Sequence, residues 1–184
     1  MKQQDTSIVI RLKEEFMNGN GDAFASMYKL YVKDLYAYGL SINSNIDMIE
    51  DAIHDVFVDI FTHRENLEHV RNLKHYMMSA LRHRLFFLLK KNKLNREITK
   101  EEIDGLIEND FQESWIAREE ETERSLLVQR LLAHLNPHQR EAIHLRFIEG
   151  LSYDEISEMM LINRQSVKNL LHRAIDKLRL EFAH

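Results

Sequence analysis

Apolar side chains return at three- and four-residue steps through most of this chain, a period that suits helices and not sheets. Phe24, Met27, Tyr28, Tyr31, Leu35 and Tyr38 form one stripe, and Ile46, Ile49, Ile53, Val56, Phe57 and Ile60 form a second. Leu73, Tyr76, Met77, Ala80, Leu81, Leu85 and Leu88 form a third, and a shorter stripe of Ile8, Leu12 and Phe16 comes before all of them. No run alternates apolar and polar residues as a half-buried strand would. One proline and five glycines in 184 residues leave few helix breakers. The expected fold class is all-α.

Local signals divide the helices into two groups. The stripes up to Leu88 predict a four-helix domain over residues 5–93. Between Glu97 and Glu123, eleven carboxylates face only Lys100 and Arg118, and the apolar residues lose their period, so residues 94–123 read as an acidic linker. Residues 124–182 predict a second domain of four short helices, the first marked by Leu127, Leu131, Leu132 and Leu135. In the next, Asn136 is placed to cap, with Pro137 at the first helical position and Gln139 at the third; Gly150 ends it. Ser152 and Glu155 then have the spacing of a capping box, with Leu151 and Ile156 as a hydrophobic staple, and Asn163 is a good cap for the last helix. The apolar stripe of that helix is Val167, Leu170, Leu171, Ala174, Ile175 and Leu178.

The formal net charge of −5 hides a segregation that matters more than the total. Residues 71–93 hold Arg71, Lys74, Arg82, Arg84, Lys90, Lys91 and Lys93 without one carboxylate. His75, Tyr76, Phe86 and Phe87 are interleaved among them, and aromatic faces among cations suit unstacked single strands. The helix of residues 45–61 is the reverse: Asp47, Glu50, Asp51, Asp55 and Asp59 meet no lysine or arginine, so its face must point away from phosphate. A basic protein partner would account for it; an ordinary solvated face would look the same.

In "GLSYDEISEMMLINRQSVKNLLHRAIDKLR", residues 150–179, two helices joined by a short turn have helix-turn-helix spacing. On the second, Arg164, Gln165, Ser166, Lys168, Asn169, His172 and Arg173 are available to a major groove. Asn and Gln can pair with adenine, and Arg and Lys with guanine, from the early turns of a recognition helix. Lys177 and Arg179 fall where phosphates would lie. Taken alone, the pair could equally be a helical hairpin with a solvated polar face.

Other chemistries find little to rest on. Without cysteine there is no disulfide or thiolate site, which suits a reducing, cytoplasmic setting. His134 and His138 have the spacing of a helical metal pair, but Asn136 and Pro137 restart the helix between them, so no metal or other cofactor is expected. No nucleophile–base set or phosphate loop suggests an enzyme. No apolar run approaches the roughly 20 residues that insertion into a bilayer requires.

The order of these segments resembles a known family, the extracytoplasmic-function group of sigma-70 RNA polymerase sigma factors. "IEDAIHDVFVDIFTHRENL", residues 49–67, is similar to the family helix that docks on core polymerase; the resemblance implies core binding by Glu50, Asp51, Asp55, Val56, Phe57 and Ile60. "LKHYMMSALRHRLFFLLKK", residues 73–91, is similar to the segment that engages and melts the minus-10 element. It assigns strand binding to Arg71, Asn72, Lys74, His75, Tyr76, Arg82 and Arg84. Residues 135–179 resemble the domain that reads the minus-35 element through Arg164, Gln165, Ser166, Lys168, Asn169, His172 and Arg173. The chain departs from the family pattern at His54, Tyr76, His83 and Leu161, where Gln, Trp, Asn and Gly are usual. The resemblance implies core polymerase and promoter DNA as partners, with an anti-sigma factor as a further one. The charge pattern itself suggests that the acidic connector shields the basic helices in the free protein until polymerase displaces it. A stand-alone helix-turn-helix regulator and a helical protein-interaction module are the rival readings.

Overall fold

The structure, a computed structural model, describes the backbone of residues 2–95 and 132–182. Every regular element among them is helical. The helices are α1 (Lys2–Met17), α2 (Gly21–Ile42), α3 (Ile46–Thr62), α4 (Leu73–Asn95), α5 (Pro137–Ile143), α6 (Tyr153–Met160) and α7 (Arg164–Phe182). The acidic connector and most of the helix expected before Leu135 lie outside the described residues. Two compact units separate, one of residues 1–39 and 47–92, the other of residues 40–46 and 93–184.

In the first unit the three long stripes meet. Met27, Tyr31, Leu35 and Tyr38 of α2 are buried, as are Ile49, Ile53, Val56, Phe57 and Ile60 of α3 and Leu73, Met77, Met78, Leu81 and Leu85 of α4. A ring cluster ties α1 to the same core: Phe16 lies 5.2 Å from Phe24, Phe24 lies 5.1 Å from Phe61, and Tyr28 lies 4.6 Å from Phe57. Such aromatic pairs add to the area they bury. Two of the helix starts have a local cause. The Asn20 side chain accepts from Asp22 N at 2.9 Å to begin α2, and Asn72 accepts from His75 N at 3.1 Å to begin α4. Gly39 is a glycine for want of space, since a Cβ there would sit 2.6 Å from Cγ2 of Ile49. The α1 stripe is only partly inward: Phe16 is buried, whereas Ile8 is 47% exposed.

In the second unit α5 and α6 both pack on α7. Buried Leu145, Ile156, Met160, Val167, Leu171 and Ala174 form its centre. Both capping boxes anticipated from the spacing are formed: Asn136 with Gln139, and Ser152 with Glu155, each with reciprocal side-chain to backbone bonds. Leu151 and Ile156, the staple pair, are both buried. Gly150 ends the helix with φ of +72°, yet the α-helical turn stops earlier than expected. Residues His144–Ile148 widen into a π turn in which Glu149 N bonds to His144 O at 3.1 Å. Across that turn, His144 and Glu149 side chains approach to 3.6 Å. Arg140 is buried beneath it and donates to Leu135 O, and its desolvation pushes the guanidinium down to about 10.

The turn between α6 and α7 carries the one non-glycine residue with positive φ among those described, Leu161 at φ 57° and ψ 39°. Ile162 N bonds to Ser157 O at 3.2 Å and Leu161 N to Glu158 O at 3.4 Å, the pairing that a glycine usually closes at a helix end. Ser157 Oγ also donates to Ile162 O at 2.6 Å. The turn therefore keeps its shape and carries strain at the leucine, whose side chain is 72% exposed and packs little. Leu161→Gly is expected to stabilise the chain by about 0.5–1 kcal/mol, the relief of left-handed strain less the added freedom of the unfolded glycine. A urea titration followed by circular dichroism measures it, and a lowered midpoint would mean that the leucine packs usefully.

Candidate nucleic-acid interface

The polar face of α7 is set by the burial of its opposite side. With Val167, Leu171 and Ala174 inward, Arg164, Gln165, Lys168, Asn169, His172 and Arg173 are left exposed, and Ser166 is half-buried at the first turn. Asn163 caps the helix by accepting from Ser166 N at 2.8 Å. Gln165 Nε2 donates to Asn169 Oδ1 at 3.0 Å, so two amides one turn apart are held in register. That leaves Gln165 Oε1 as acceptor and Asn169 Nδ2 as donor toward the outside, the complement of an adenine edge. Further along, His172 Nδ1 meets Asp176 Oδ2 at 2.7 Å and Arg179 reaches the same carboxylate at 3.8 Å. Arg164 lies 3.5 Å from Asp154 of α6. Lys177, expected near phosphate, instead brings Nζ to 3.4 Å from His134 O.

The expected strand-binding residues are divided by the fold. Arg71 and Asn72 are exposed at the start of α4, with Lys74, His75 and Tyr76 half-buried beside them. Asn72 caps the helix, and Lys74 pairs with Asp34 of α2 at 2.7 Å. Arg82 departs from the expectation: it is 7% exposed, because its position on α4 falls next to the buried Leu81 and Leu85, and its guanidinium stacks 4.5 Å from the Phe86 ring. Arg84 Nε bonds to Asp55 Oδ2 at 2.6 Å and stands over Phe87 at 5.3 Å. Arg84 thus ties α4 to α3, and the most open aromatic on α4 is Phe87, 56% exposed.

On α3, Glu50 and Asp51 are exposed and Asp55 is shared with Arg84. Val56, Phe57 and Ile60, expected at the docking surface, are at most 4% exposed, so in this fold they hold the helix in place and offer a partner little surface. Most of the apolar contribution of α3 to the outer surface comes from Val58 and Phe61, 47% and 56% exposed. Val58 lines an open groove with Asp55, Val56, Asp59, Thr62, His63, Ala80, His83, Arg84 and Phe87. Sequence reasoning missed Val58 and Phe61, although a signal was present: both are large apolar residues off the stripe of their own helix.

Comparison with known proteins bears on these surfaces. Residues 125–178 match the family model "Sigma-70, region 4". Over 153 residues the chain is 26% identical to the ECF RNA polymerase sigma factor SigM of Bacillus subtilis (strain 168), covering 83% of this chain and 91% of that protein. It is 27% identical over 183 residues to the ECF RNA polymerase sigma factor BldN of Streptomyces coelicolor, 95% of this chain and 66% of that one. Its fold is similar to that of the sigma factor RpoE of Bartonella quintana, solved with the anti-sigma factor NepR, with a TM-score of 0.65 at 23% identity. That match covers 85% of this chain and 94% of the other. The helix-turn-helix unit is therefore similar to sigma-70 region 4. Over most of its length the chain is thus similar to extracytoplasmic-function sigma factors.

Proposed function

We propose that this chain directs transcription initiation by binding core RNA polymerase, reading promoter DNA through α7 and opening it with α4. The observation that carries the reading is the α7 face, where exposed Gln165, Lys168, Asn169 and His172 share one side of a capped second helix in a helix-turn-helix. Residues 124–182 act as the minus-35 domain and residues 5–93 as the core-binding and minus-10 domain, with the acidic connector of residues 94–123 between them. Around the minus-10 element, Arg71 and Lys74 attract the backbone, and His75, Tyr76 and Phe87 offer faces on which unpaired bases stack. Glu50, Asp51 and Asp55, with Val58 between carboxylates, form a docking face for a basic surface of polymerase. The chain does no covalent chemistry itself and works in the cytoplasm, where polymerase is. A partner of the anti-sigma kind, such as the one bound to the RpoE of Bartonella quintana, would act by covering these faces.

The division of labour has its own test. Reversing both exposed charges, Glu50→Lys with Asp51→Lys, is expected to weaken core polymerase binding about tenfold or more at low salt, with a smaller loss at high salt. Fluorescence anisotropy with labelled chain and purified core measures it. Core affinity unchanged by the double reversal would remove α3 as the docking face.

A further inference from the structure

The first turn of α6 does more than start a helix. Tyr153 follows the capping Ser152, and its ring meets two cations from different elements. The Arg146 guanidinium carbon lies 4.9 Å from the ring centroid, and the same guanidinium donates from Nη1 to Leu151 O at 2.6 Å. That bond fixes Arg146, and Arg146 in turn fixes the ring. Lys168 of α7 brings Nζ to 6.0 Å from the same centroid, within reach of the attraction between a cation and a π face. One residue on, Asp154 lies 3.5 Å from Arg164. The α6 turn thus lies beside two cations of the reading face that are one helical turn apart.

We propose that Tyr153 is a positioning residue for DNA recognition, a platform clamped by Arg146 that orders Lys168 toward the base edges. This rests on the reading of α7 as the helix that enters the major groove. An exposed lysine has many rotamers to lose when it binds a base, and an aromatic face already beside its ammonium group removes part of that loss in advance. Tyr153 acts through Lys168. Only the face of the ring is required, so phenylalanine serves and an aliphatic side chain does not.

The test is a double-mutant cycle on the full chain assembled with core polymerase. The probe is a fluorescent duplex that the unaltered holoenzyme selects from a randomised pool. Tyr153→Leu is expected to weaken binding about two- to fivefold, the range for an exposed cation–π contact, and Tyr153→Phe to leave it unchanged. With Lys168→Ala already present, Tyr153→Leu is expected to add nothing. A purely structural tyrosine would give the same loss in both backgrounds, and that result overturns the proposal while leaving α7 as the reading helix. So does a Tyr153→Phe variant as weak as Tyr153→Leu, or a Tyr153→Leu variant that binds normally. If Lys168→Ala itself binds as tightly as the unaltered chain, the assignment of Lys168 to DNA is wrong and the role of Tyr153 goes with it.

Discussion

Leu81→Ala is expected to destabilise the first unit by about 2–5 kcal/mol, the range for a buried leucine whose cavity does not collapse. Leu81 has no exposed surface and lies on α4 between Met77 and Leu85, which have none either, so there is no mobile neighbour at the surface to fill the space. A domain of this size has roughly 5–15 kcal/mol of stability to lose, so the change removes a large share of it. The consequence reaches function, because α4 carries the basic side chains on its outer surface and presses α3 into place with the other. Chemical denaturation of the full chain measures the effect. A loss under about 1 kcal/mol would mean that the α3–α4 core is looser than its burial indicates.

Asn169→Ala is expected to weaken binding of the holoenzyme to its minus-35 element by about 1–3 kcal/mol and to relax the preference at one base pair. The amide is held by Gln165, so it meets DNA already oriented; its removal also releases Gln165, and the two substitutions should not add. A change confined to phosphate contact would behave differently, weakening all sequences alike and lowering the salt dependence. Binding measured on a panel of duplexes, each altered at one position of the element, separates the two. Uniform loss across the panel would show that Asn169 does not read a base.

Much of this was legible in the sequence because helices announce themselves through a period and through their ends. Most of the stripes on α2, α3 and α4 became the core of the first unit, with Tyr28 and Ile46 exposed at its edge, and Asn136, Ser152 and Asn163 cap where their spacing placed them. The polar face of α7 followed from the apolar face opposite it. Other features depend on distances that no period encodes. Val56, Phe57 and Ile60 were assigned to a partner through resemblance, yet their own stripe already marked them as inward. Arg82 reads as a surface cation by type and is buried because its place on α4 adjoins the core. The π turn at His144–Ile148 follows two buried charged residues, Arg140 and Glu141, and has no sequence period of its own. Leu161 was visible as an oddity, since glycine is usual there; three hydrogen bonds across the turn hold it left-handed.

The most direct measurement is run-off transcription with purified core polymerase on promoters of the host, with permanganate probing of unpaired thymines on the same templates. The account predicts a discrete transcript and reactive thymines near the start site only when chain and core are both present. It also predicts a weaker transcript with Asn169→Ala on its cognate promoter, and core binding about tenfold weaker or more at low salt with the charge-reversed α3. No transcript from core that another sigma factor activates, together with tight binding of the free chain to a symmetric duplex, would contradict it and leave a stand-alone regulator in its place.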